Sequence, residues 1–95
     1  MKNALVLSEK SLQQIEKSAD WFFQQKPGLA IKFLNELNKE FEFIQKHPLK
    51  SQVRYKNVRI KFLKIFDFGI HYLFENKTIF VLYVFHTSQS DDNWF

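Results

Sequence analysis

The stretch HPLKSQVRYKNVRIKF, His47 to Phe62, decides how this chain folds, because the spacing of its apolar residues changes there. Before it, apolar side chains recur every three or four residues, the period of a helix with one buried face. Within it, Val58, Ile60 and Phe62 alternate with Arg59 and Lys61, the period of two that marks a strand. The hinge is His47-Pro48, since a residue before proline is pushed out of the helical region. Everything upstream therefore reads as mainly helical and everything downstream as mainly extended.

Working back from Pro48, Ala30, Phe33, Leu34, Leu37, Phe41 and Ile44 form one long apolar stripe. Lys32, Asn35, Glu36 and Lys39 fall on the opposite side, so this helix is expected to pack by one face only. Gln24-Gln25-Lys26-Pro27-Gly28 separates it from an earlier helix, and Pro27 suits the first turn of the later one. In the earlier helix Leu12, Ile15, Ala19, Phe22 and Phe23 make the buried face. Ser8 or Ser11 caps it, and Ser11 followed by Gln14 fits a capping box. The connection is so short that the two helices must form an antiparallel hairpin. Residues 3–8 read as a short strand with Leu5 and Leu7 on one face.

Working forward, Gly69-Ile70-His71-Tyr72-Leu73-Phe74 is a second extended run after Val58–Phe62. Glu75-Asn76-Lys77 makes a tight turn, and Thr78 to Phe85, apolar on both faces, is an interior strand. The predicted order is β-α-α-β-β-β, an α+β domain with a helical hairpin on one face of a small, mainly antiparallel sheet. Ninety-five residues suffice for a single domain, 1–95, and twelve phenylalanines give it a substantial core.

Charge is segregated. No acidic residue occurs between Phe43 and Phe66, while Lys46, Lys50, Arg54, Lys56, Arg59, Lys61 and Lys64 supply seven of the fourteen cations. The remainder holds seven positive against ten negative charges, a net of −3. Such a basic zone is the footprint of an RNA, DNA or acidic-protein partner. Arg59 and Lys61, two apart on a strand, leave the same face and can hold phosphates or stabilise charge on a phosphoryl group. Tyr55 can stack on a base.

Other chemistry is thinly represented. Without cysteine there is no disulfide, thiolate metal site or cysteine nucleophile. Only Gly28 and Gly69 are present, too few for a phosphate loop, and no serine elbow occurs. His47, His71 and His86 lack metal-ligand spacing, so no metal and no cofactor is expected. Asp91-Asp92 reads as a solubilising pair. The apolar run at the start is too short for a signal peptide, and no stretch approaches a membrane span, so a cytoplasmic protein is predicted.

The second half also carries a resemblance. Arg54-Tyr55-Lys56-Asn57-Val58-Arg59, leading to Phe66-Asp67-Phe68-Gly69-Ile70-His71-Tyr72, resembles the "Y..VR……FPY.I.Y" core of ParE-type toxins, with Asp67 in place of the usual proline. Ile79 to Ser88 resembles that family's final strand and its "H.SR.P..W" ending, with His86 and Trp94 matched and Gln89 replacing the basic residue. The segments Ala19-Asp20-Trp21 and Ala30 to Leu34 fit the family's helices, so the resemblance to the RelE/ParE superfamily spans nearly the whole chain.

That resemblance implies the toxin of a type II toxin–antitoxin pair. A cognate antitoxin would wrap its hydrophobic groove, and the complex would bind operator DNA through the antitoxin. Two activities are open. A ParE-like member binds DNA gyrase and is no enzyme; its target contacts would be Arg54, Tyr55, Lys56, Arg59, Lys61, Lys64, His86 and Trp94. A RelE-like member cuts mRNA on the ribosome and would use Arg59, Lys61, Lys64 and Tyr55. The nucleases' next arginine would fall about Gly69, no arginine follows His86 and no tyrosine follows Tyr83, which favours the gyrase reading. A third possibility is a degenerate member that binds antitoxin and co-represses its operon.

Overall fold

In the computed structural model, which describes residues 2–87, the chain runs β1 (Ala4–Leu7), α1 (Glu9–Gln25), α2 (Pro27–Lys46), β2 (Val53–Tyr55), β3 (Val58–Phe62), β4 (Phe68–Glu75) and β5 (Thr78–His86). The expected α+β architecture is present, with one more strand, β2, than the apolar periodicity indicated. The five strands lie in the order β1-β5-β4-β3-β2. Only β1 and β5 are parallel; the remaining pairs are antiparallel. Asn76 and Lys77, both with positive φ, close the β4–β5 hairpin as its spacing predicted.

Ser8 caps α1: its hydroxyl accepts the Ser11 N–H at 3.0 Å. The capping box expected of Ser11 and Gln14 is not made. Ser11 lies inside the first turn, buried, and its hydroxyl donates to the Ser8 carbonyl. Gln14 is used elsewhere, for a reason set by the sheet. β1 ends at Leu7 opposite Val81, so the β5 backbone beyond that point needs other partners. Ser8 Oγ donates to the Leu82 carbonyl, and Gln14 Oε1 accepts the Val84 N–H, both at 2.8 Å.

The core lies between the helices and one face of the sheet. Phe33, Leu37, Phe41 and Ile44 of α2 meet Ile70 and Tyr72 of β4 and Ile79, Val81 and Val84 of β5. At one end Phe22, Phe33, Phe66 and Phe68 pack with neighbouring ring centroids 4.9 to 6.1 Å apart. Two of the residues expected in the buried stripe of α1 are outside it: Leu12 and Phe23 are exposed. They sit roughly 60–80° around the helix from Ile15, past the arc that the sheet covers. Leu34 at the margin of α2 is likewise exposed. Glu36, expected on the outer side of α2, is buried instead.

Candidate binding surface

The basic stretch is built around a hairpin that the apolar pattern concealed. Lys56 and Asn57 both have positive φ, 41° and 66°, and form the two-residue turn joining β2 to β3. Asparagine adopts that conformation readily, so Lys56-Asn57 is the sequence signal for β2. The hairpin decides which way every following side chain points, because β3 alternates.

Arg59 and Lys61 do leave one face together, but it is the face that α2 covers. Arg59 Nη1 donates to the Ser51 carbonyl at 2.7 Å and to the Leu49 carbonyl at 3.3 Å. Tyr72, paired with Arg59 across the ladder, donates its hydroxyl to the Pro48 carbonyl at 2.7 Å. These bonds pin the turn that follows α2 against the sheet. Lys61 Nζ lies 3.5 Å from Glu40 Oε1 and 4.8 Å from the centre of the Phe43 ring. Both cations, half-buried, are thus engaged by groups of the protein itself.

A third polar junction completes this side. The Glu36 carboxylate accepts the backbone N–H groups of Lys64, Ile65 and Phe66 at 2.9 to 3.3 Å. It fixes the loop between β3 and β4, on which the Lys64 and Ile65 side chains are exposed. Nothing in the helical spacing marked Glu36 for this task.

On the opposite face, Val58 and Ile60 share a surface with His71 of β4 and Tyr83 and Phe85 of β5. The His71 ring lies against Tyr83 and Phe85, with centroids at 6.2 and 5.2 Å. Its Nδ1 is 2.9 Å from the Tyr55 hydroxyl. Burial lowers the His71 pKa to about 4 and raises that of Tyr55, so the pair is neutral at pH 7. Tyr55, expected to stack on a base, is half-buried with its hydroxyl engaged with His71. Gly69 lies on this face too: a Cβ there would meet Ile60 Cγ2 at 3.0 Å and the Phe62 ring at 3.4 Å.

The remaining predicted contacts are dispersed. Arg54 is exposed on β2, its guanidinium 5.4 Å from the centre of the Phe62 ring. Lys56 is exposed at the hairpin turn. His86 ends β5 on the helix side, edge-on to Phe68, and with Ser18, Trp21 and Phe22 lines a cavity of about 330 Å³. Trp94 lies outside the described residues, as do Gln89, Asp91 and Asp92. Among the described residues no group of histidines and carboxylates could hold a metal ion. No helix among them is long and apolar enough to cross a membrane.

A helical hairpin on one face of a five-stranded sheet is an architecture already represented among solved structures. The fold is similar to that of a chain from the chromosomal ParDE toxin–antitoxin system of P. aeruginosa, with a TM-score of 0.80 at 16% identity, covering 92% of this chain and 98% of that one. In sequence, residues 5–91 match the family described as the ParE toxin of the type II toxin–antitoxin system, parDE, and the chain belongs to that family. No curated protein matches it significantly in sequence.

Proposed function

We propose that this chain arrests growth by binding DNA gyrase, without cutting RNA, and that a cognate antitoxin neutralises it. The observation that carries the choice is the engagement of Arg59 and Lys61 with the Leu49 and Ser51 carbonyls and with Glu40. A nuclease needs such cations free to orient a ribose hydroxyl and stabilise the scissile phosphate. Gly69 supports the same choice: it carries no cation where the nucleases' arginine would fall, and a Cβ added there would crowd Ile60 Cγ2 at 3.0 Å. The exposed Leu12, Trp21, Phe23 and Ile31 on the helical hairpin support a covering protein partner.

The test is a supercoiling assay with purified chain and gyrase, run beside induced expression in cells. Loss of supercoiling at stoichiometric toxin, reversed by the antitoxin, is expected. Unchanged supercoiling together with codon-positioned mRNA cuts would transfer the protein to the nuclease reading.

A further inference from the structure

Of the five cations of the basic stretch other than Arg59 and Lys61, three, Lys50, Arg54 and Lys56, lie along one outer edge, while Lys46 ends α2 and Lys64 sits on the β3–β4 loop. The Arg59 bonds to Leu49 and Ser51, and the Ile60 N–H bond to the Gln52 carbonyl, hold residues 49–55 along the outside of β3. Among the described residues β2 is the last strand on that side of the sheet. Lys50, Arg54 and Lys56 are exposed along this edge, and no acidic residue lies within the stretch 43–66. Between the cations stand exposed apolar side chains: Leu49 at 63%, Val53 at 44% and, beneath Arg54, Phe62 at 38%. Leu49, Val53, Leu73 and Phe74 also line a cavity of about 240 Å³, whose wall Asn57, Arg59 and Glu75 complete, with room for one large side chain.

We infer that this edge, Leu49 to Lys56, docks an acidic surface of the target protein that presents an apolar anchor beside its carboxylates. The inference rests on the reading of the chain as a protein-binding toxin and adds the chemistry of the contact. Cations alone would suit phosphates equally well. The interleaved aliphatic groups do not, because a sugar–phosphate backbone gains nothing from Leu49 and Val53. An exposed arginine over an aromatic ring, with aliphatic side chains exposed among the cations, is the composition of a protein–protein hot spot. The exposed cations speed encounter, and the pocket slows release.

The experiment compares two triple variants of equal net charge, K50E/R54E/K56E on the edge and K10E/K32E/K39E on the exposed helix surfaces. Each is examined for growth arrest, for gyrase affinity at two salt concentrations and for rescue by antitoxin. The edge variant should lose growth arrest and bind gyrase at least about tenfold more weakly, with a flatter salt dependence, while the helix variant retains arrest. A V53D variant, which places a carboxylate at the cavity, should act like the edge triple with a smaller change in charge. Equal losses in both triples would show a net-charge effect and overturn the inference. Growth arrest retained by the edge variant also overturns it, whether or not antitoxin rescue is lost. Tight binding of a short RNA by the wild type, abolished in the edge variant, would assign the surface to nucleic acid. Growth arrest without gyrase binding removes gyrase as the target, and the two triples then still decide the edge. A wild-type chain that arrests nothing removes both readings.

Discussion

Two parts of one basic stretch meet opposite fates in this fold. Arg59 and Lys61 on β3 turn to the helix side and are matched, one to backbone carbonyls of the segment after α2 and the other to Glu40 and the Phe43 ring of α2. Lys50, Arg54 and Lys56, a few residues earlier, stay in solvent on the outer edge. Similar residue types in the same acid-free run therefore do different work. Arg59 locks the turn after α2 onto the sheet and Lys61 ties β3 to α2, whereas the outer set stays exposed. Charge along a sequence reports a surface only after the strand's facing is known.

The sharpest way to probe the inner half is from the acids of α2. Glu36→Ala strands three backbone N–H groups and should cost about 3–4 kcal/mol, read as a fall in the urea midpoint; Glu36→Gln should cost less because it keeps one acceptor oxygen. If the alanine variant is neutral, the loop is not held from the helix side.

Acid should weaken the opposite face. Burial holds the folded His71 near pKa 4 against an ordinary 6.5, so between these values the unfolded chain binds the extra proton. Stability from this group is complete above pH 6.5 and is lost as pH falls through 4, by up to about 3 kcal/mol. Denaturation at pH 7 and at pH 4.5 measures it, and His71→Gln should flatten the difference.

Arg59→Met should cost about 2 kcal/mol, because the Leu49 and Ser51 carbonyls lose their donor and the edge loosens. Lys61→Met should cost a similar amount, about 2 kcal/mol, by stranding the Glu40 carboxylate, whereas Lys61→Met with Glu40→Gln should cost under about 1. Equal losses for the single and double variants would mean that the pair is not coupled. The smallest effect belongs to the outer half. Each of Lys50→Glu, Arg54→Glu and Lys56→Glu should shift stability by no more than about 0.5 kcal/mol in thermal unfolding, since these side chains are exposed. A larger loss would erase the distinction between the halves.

Much of the fold could be read from spacing and punctuation. Pro27 and Pro48 bound α2, Ser8 caps α1, and Asn76-Lys77 turns the last hairpin, all local effects of backbone geometry. The buried set Phe33, Leu37, Phe41 and Ile44 follows from helical periodicity alone. The binding surface was less legible. Val58-Arg59-Ile60-Lys61-Phe62 suggests apolar side chains toward the helices and cations toward solvent, yet both faces of β3 are largely covered and the cations take the helix side. Apolar alternation fixes which residues share a face but not which face the helices occupy. Leu49 and Val53, interleaved with the outer cations, became visible only when β2 was found.

The sequence by itself determined the two helices and four of the five strands, the stripe of α2, the acid-free run and, through its motif order, the ParE toxin family. Tertiary structure alone decided which cations remain available. Arg59 and Lys61 are taken by carbonyls and a carboxylate from residues 8 to 21 positions away in the chain, a distance that no local pattern spans. A polar group leaving water must find a partner wherever the fold places one, so the use of each charge is settled by the packing of α2 on the sheet.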